Sequence, residues 1–187
     1  QTTRRVCAYL KEKGKKVVVV RHPMPYGDLT QQVCQRFATY QDLDLHKCTI
    51  EEREEYEPHL ERGIVVYAGV DYAKILQEVE KEADIIVWDG GNNDTSFYEA
   101  DIYITVVDPH RPGHELSYHH GEINLRLADC VIINKIETAD SNNIQTVREN
   151  IAKVNPGALV IQAASPLSVE QAELLGNKKV LVIEDGP

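Results

Sequence analysis

Asp89 closes the apolar run Ile85-Ile86-Val87-Trp88 and is followed at once by Gly90-Gly91. A carboxylate at the tip of a buried strand, next to glycines that let phosphate approach the backbone, is the arrangement that holds magnesium, usually through water, in nucleotide hydrolases and kinases. The same letters make a common turn, so both readings stand on local grounds. A second indication is Asn134-Lys135-Ile136-Glu137. In GTP-binding proteins Asn-Lys-x-Asp after a strand selects guanine: the final carboxylate accepts from the base and the Lys stem packs over the ring. Glu137 is one methylene longer than that Asp, which loosens bidentate acceptance and leaves guanine, adenine or a merely structural loop open.

The stretch from Asp108 to Glu122 holds four of the seven histidines, His110, His114, His119 and His120, with Arg111 among them. Pro112 and Gly113 interrupt any helical His-x-x-x-His pair, which weakens a metal site. A polar surface connection is the default for such a loop. The third reading is anion binding, in which His110, Arg111 and His114 meet a phosphorylated substrate. Arg21 and His22, at the end of another apolar run, suit the same purpose.

These residues follow short Val/Ile-rich runs that read as strands: 16–21, 64–67, 85–88, 102–107, 131–133, 159–161 and 180–183. The runs are continuous rather than alternating, which is how strands of a parallel sheet covered on both faces read. Helices are expected at 2–13, 30–40, 71–82, 141–154 and 168–175, the last opened by Ser168 with Gln171 as a capping box. Thr49 with Glu52 opens an acidic helix whose simplest reading is a solvated face. The pairs Ala83-Asp84, Ala100-Asp101 and Ala128-Asp129 precede strands and carry no expected chemistry. In an open parallel sheet ligands bind beyond the carboxyl ends of the strands, where the polar segments fall.

The 187 residues lack internal repeats and any linker rich enough to divide them, so one nucleotide-binding domain over 1–187 is expected. A formal charge of -10 argues against nucleic acid or an acidic lipid surface as partner, and no apolar run is long enough to span a membrane. Cys7, Cys34, Cys48 and Cys130 form no CxxC pair and fit reduced, mostly buried thiols of a cytoplasmic protein. No Gly-Lys-Ser/Thr phosphate loop exists in the sequence. Such a loop opens a helix, and the chain starts with one, so a fragment beginning just after the loop is expected.

Taken together, the segments Val20-Arg21-His22-Pro23-Met24-Pro25-Tyr26-Gly27-Asp28-Leu29, Cys48-Thr49-Ile50-Glu51-Glu52-Arg53, Tyr67-Ala68-Gly69-Val70-Asp71-Tyr72, Trp88-Asp89-Gly90-Gly91-Asn92-Asn93-Asp94 and Arg111-Pro112-Gly113-His114-Glu115 resemble the cyclic 2,3-diphosphoglycerate synthetase family. Its relatives are often described as predicted GTPases. The resemblance implies a three-layer α/β fold of the P-loop NTPase type, here without its first strand and phosphate loop, and a ligase that uses ATP, or GTP, with Mg2+. ATP would activate 2,3-diphosphoglycerate, and one phosphate of that substrate would close on the other. On this basis Asp89 and Asp28 would be the catalytic, magnesium-side acids, and Asn134, Lys135 and Glu137 would face the base; Arg21, His22, His110, Arg111 and His114 are expected at substrate phosphates from their placement after the strands. The partners expected are a small phosphorylated substrate and further copies of the same chain. A GTPase switch and a non-catalytic regulatory module are the competing readings.

Overall fold

The structure, a computed structural model, describes residues 1–187 apart from Pro25, Asn92, Asn93, Leu167, Glu170 and 182–187. Helix α1 (Thr2–Glu12) leads into β1 (Val17–Arg21), and Gly14 between them takes a positive φ of 76°. There follow β2 (Gln35–Phe37), α2 (Tyr40–Leu45), α3 (Ile50–Leu60), β3 (Val65–Ala68), α4 (Tyr72–Val79), β4 (Ile85–Trp88), β5 (Ile104–Val107), α5 (His114–Ser117), α6 (Gly121–Leu127), β6 (Cys130–Ile133), α7 (Ser141–Val154), β7 (Leu159–Gln162) and a short 3₁₀ turn, Ala172–Leu175. The architecture is α/β with mostly parallel strands, as the continuous Val/Ile runs require.

Among the described residues the strands form two sheets, β2-β3-β1-β4 and β5-β6-β7, and only the β2–β3 pairing is antiparallel. In the first sheet, Val17 and Val19 pack with Cys7 of α1, Leu43 of α2, and Tyr56 and Leu60 of α3. Val18 and Val20 point the other way, against Ile75 and Val79 of α4. Period-2 alternation thus puts every β1 valine into one of two cores, making three layers. The second sheet buries Val107, Val131 and Ile133 against Leu125 of α6 and Val147 and Ile151 of α7. Two of the Ala-Asp pairs clamp neighbouring strands: Asp84 Oδ2 accepts from Lys16 N–H before β1, and Asp129 Oδ2 accepts from Tyr103 N–H before β5.

The structure departs from the sequence reading in five places. The expected helix at 30–40 is instead a loop and β2, because buried Gln35, exposed Arg36 and buried Phe37 alternate with the period of a strand. Thr39 and Asp42 then form a capping box that starts α2. The acidic helix α3 is more than a solvated face, since it buries Glu52, Tyr56, His59 and Leu60. At 168–175 the described residues give only the 3₁₀ turn, with Gln171 at a positive φ of 55° in place of a capping partner. Of 180–183, Val180 and Leu181 are not in a strand, and the rest of that run lies outside the described residues. Cys7 alone is fully buried, the other three thiols being half-buried and, like it, free.

Gly69, just past β3, lies under the loop that returns from β1. Val70 N–H and Asp71 N–H donate to the carbonyls of Gln32 and Val33, and a Cβ on Gly69 would stand 2.5 Å from Val33 O and 2.9 Å from Gln32 O. These are backbone atoms that cannot swing aside. Gly69→Ala is therefore expected to cost about 1–3 kcal/mol, the usual range for overpacking, read as a lower thermal unfolding midpoint. An unchanged midpoint would contradict this packing.

Candidate nucleotide-binding site

Asp89 follows β4 and stands beside Arg21, the last residue of β1, because Val20 and Trp88 are register partners. Three donors converge on its carboxylate. Thr3 Oγ1, in the first turn of α1, donates to Oδ1 at 2.5 Å, while Arg21 Nη1 at 2.5 Å and His59 Nε2 at 3.1 Å donate to Oδ2. Arg21 also holds Glu55 of α3 at 2.6 Å. Burial opposes ionisation of Asp89, but the His59 bond, the Arg21 guanidinium and the Thr3 hydroxyl outweigh it and push the pKa down to about 2. His59 is itself buried, and its Nδ1 has no partner among the described residues, so the proton sits on Nε2.

A carboxyl held below its ordinary value of 3.8 contributes stability above that pH and loses it as pH falls through the folded value. For Asp89 the contribution is about 2 kcal/mol, present above about pH 4 and lost between about pH 4 and pH 2. The thermal midpoints of wild type and Asp89→Asn should accordingly be well separated at pH 5 and converge towards pH 2. A separation that stays constant with pH would rule out this account of the carboxylate.

The first turn of α1 carries no acidic residue, and its N-cap, Gln1, makes no side-chain cap bond. The leading amides of this 11-residue helix thus have no side-chain cap from Gln1, and the Thr3 hydroxyl of the same turn lies at the end of β4. Beside them is a cleft of about 360 Å³ lined by Gln1, Thr2, Thr3, Val106, Asn134, Lys135 and Ser165. Lys135 adopts a positive φ of 57° and its Nζ reaches Asp108 Oδ2 at 2.7 Å. Burial would raise the Asp108 pKa, but the Lys135 ammonium and the His110 N–H hold it below the ordinary value. Glu137 Oε1 accepts from Ser165 N–H at 2.6 Å, and Ser165 Oγ bonds the Gln1 side chain. Asn134 and Lys135 therefore share a cleft with the start of α1, and Glu137 reaches Gln1 through Ser165.

His22 continues β1 beyond Arg21. Its Nδ1 lies 2.5 Å from Tyr72 Oη and its Nε2 lies 3.6 Å from Asp94 Oδ1. The ring sits edge-on to Trp88, Phe97 and Tyr72 at 5.3, 5.6 and 5.7 Å between centroids. Gly90 must remain bare here, because a Cβ would come 2.5 Å from Trp88 Nε1.

The other expected site residues have contacts of their own. Asp28 is exposed and its carboxylate accepts from both the N–H and the hydroxyl of Thr30, which holds its pKa below the ordinary carboxylate value. His110 Nε2 meets Thr138 Oγ1 at 2.9 Å. Arg111 is exposed, and exposed His114 packs its ring on Tyr118. Among the described residues no group of three or more His, Cys, Asp or Glu side chains could hold a metal ion.

Thr3, Glu55, His59, Asp94 and Ser165 escaped the sequence reading. Glu52, Tyr56, His59 and Leu60 do follow the i, i+4, i+7, i+8 spacing of a buried helix stripe, a signal hidden by the surrounding glutamates. Thr3 and Ser165 carried no signal beyond lying at a helix start and after a strand.

A family profile described as cyclic 2,3-diphosphoglycerate synthetase, P-loop domain, matches residues 62–164, more than half the chain. The chain belongs to the cyclic 2,3-diphosphoglycerate synthetase family. It is 68% identical over all 187 residues to a protein of Thermococcus kodakarensis named arginine synthetase ArcE, and spans 42% of that protein's length. Its fold resembles HypB from Helicobacter pylori, solved in complex with nickel, with a TM-score of 0.53 at 17% identity, covering 87% of this chain and 73% of that one. The family's P-loop nucleotide-binding fold is thus present, with the strand ends and the start of α1 in the places described. Among the described residues no helix is long and apolar enough to cross a membrane.

Proposed function

We propose that the chain is the nucleotide-binding portion of an ATP-dependent synthetase, with the terminal phosphates lying beside the first turn of α1 and Asp89. The observation that carries this reading is the Thr3–Asp89 hydrogen bond, which ties the first turn of a helix to a strand-end carboxylate. β4 pairs only with β1, and β5 only with β6, among the described strands. Thr3 bonds the residue after β4 and shares a cleft with Val106 of β5, so a strand leading into α1 would fit between those two edges and bring a phosphate loop to the site.

Asp89 and Thr3 offer the hard oxygen donors that magnesium takes, and magnesium there would neutralise charge on the transferring phosphoryl group. Arg21 sits where it can exchange Asp89 or Glu55 for a phosphate oxygen. Lys135 and Glu137 flank the base, and α1 orients the phosphate chain.

The strong identity to an arginine synthetase over the whole chain favours arginine as the product of the full-length protein. The corresponding chemistry moves the γ-phosphoryl group of ATP to a ureido oxygen, releasing ADP; ammonia then attacks the carbon and phosphate leaves with that oxygen. The family profile favours a second reading, cyclisation of 2,3-diphosphoglycerate with release of ADP and phosphate. Incubating the full-length protein with ATP and Mg2+ separates them: arginine formed from L-citrulline and ammonium supports the first, and a cyclic product from 2,3-diphosphoglycerate supports the second. ATP turnover with neither acceptor would remove both.

A further inference from the structure

The cluster around His22 has a composition that phosphate handling does not explain. Four aromatic rings, Tyr72, Trp88, Phe97 and Tyr98, gather beyond the ends of β1 and β4 together with the carboxylate of Asp94. Tyr72 and Phe97 stack face to face at 4.4 Å with an interplanar angle of 9°, yet Phe97 remains 63% exposed, so its outer face is open to solvent. Asp94 Oδ2 is taken by Gly91 N–H at 2.9 Å, whereas among the described residues Oδ1 makes only the 3.6 Å contact with His22 Nε2, too long for a hydrogen bond.

An open aromatic face next to a carboxylate oxygen with spare accepting capacity is the pairing that recognises a planar cation. A polyanion would meet the Asp94 charge here and be repelled. Burial first, and Asp94 second, raise the Tyr72 pKa to about 12, so its hydroxyl stays protonated and donates to His22 Nδ1. With Nδ1 accepting from Tyr72, His22 donates from Nε2, which faces the same gap as Asp94 Oδ1.

We propose that Phe97 and Asp94, backed by Tyr72 and His22, form the seat of the second substrate, a guanidinium or ureido head group, beyond the ends of β1 and β4 and beside the proposed phosphate site. The planar head stacks on the outer face of Phe97, Asp94 Oδ1 accepts from its N–H groups, and His22 Nε2–H donates to a ureido oxygen when one is present. The inference rests on the arginine-forming reading and gives that reading a place in the fold. It also explains why Arg21 and His22, neighbours in sequence, have unlike surroundings: Arg21 lies among carboxylates at the phosphate side, and His22 lies among rings.

The test uses the full-length protein and radiolabelled L-arginine in equilibrium dialysis, with ATP binding measured in parallel. Asp94→Asn keeps an oxygen for Gly91 N–H, and Phe97→Leu alters an exposed ring, so both variants should fold. Each should weaken arginine binding at least about tenfold, equivalent to about 1.4 kcal/mol, and leave ATP affinity within about twofold. Binding of 2,3-diphosphoglycerate should not weaken when Asp94 loses its charge. Wild-type arginine synthesis combined with unchanged arginine binding in both variants would overturn the seat alone. Absence of arginine synthesis by wild type would overturn the seat together with the function on which it rests, and weaker 2,3-diphosphoglycerate binding in Asp94→Asn would overturn it in favour of an anion site.

Discussion

Asp89→Asn is expected to lower ATP-driven product formation by the full-length protein by about a thousandfold or more, with ATP binding far less affected. The charge of Asp89 is what Thr3, Arg21 and His59 are arranged around, and the pKa of about 2 keeps it present at any physiological pH. Asparagine keeps the size and one accepting oxygen but cannot balance the charge that develops as the phosphoryl group moves, and groups acting on that charge typically contribute several kcal/mol to the transition state. Arg21 retains Glu55 in the variant, so the fold keeps one of its two partners and the stability loss stays near the 2 kcal/mol derived from pH. Turnover that falls only in proportion to the folded fraction would reduce Asp89 to a structural residue.

The second large effect concerns the base. Selecting guanine requires both oxygens of the terminal carboxylate of an Asn-Lys-x-Asp motif to accept from the ring. In this chain Glu137 Oε1 already accepts from Ser165 N–H at 2.6 Å, which leaves one oxygen for a ligand. ATP is therefore expected to displace a labelled nucleotide from the full-length protein at least as well as GTP does. A hundredfold advantage for GTP, worth about 2.7 kcal/mol, would return the motif to guanine recognition and favour a GTPase switch.

Much of this arrangement was legible in the residues because parallel strands leave a simple trace. The run at 85–88 coincides with β4, the helix at 141–154 coincides with α7, and the polar residues after β1, β4, β5 and β6 do fall at carboxyl ends. Partnerships between distant residues were not legible. That Arg21 would clasp Asp89 and Glu55 depends on the order β1 beside β4 and on α3 crossing the face of β1, neither of which is written in local spacing. Gln35-Arg36-Phe37 is too short for its alternation to compete with helix-forming neighbours, which is why β2 read as helix. The glutamates of α3 concealed its buried stripe, because only two of the four buried side chains there, Tyr56 and Leu60, are hydrophobic. Asp94 and the rings around His22 are scattered between positions 72 and 98, and the sheet alone unites them.

The start of α1 and Asp89 should face a nucleotide's phosphates, with the base towards Lys135 and Glu137. A crystal structure of the full-length protein with ADP and Mg2+ tests it most directly. Phosphate oxygens are expected at the amides of the first turn of α1, with the ion beside Asp89 and Thr3 and adenine against the Lys135 stem. A nucleotide bound elsewhere, with Thr3, Arg21 and His59 still closed around Asp89, would contradict it.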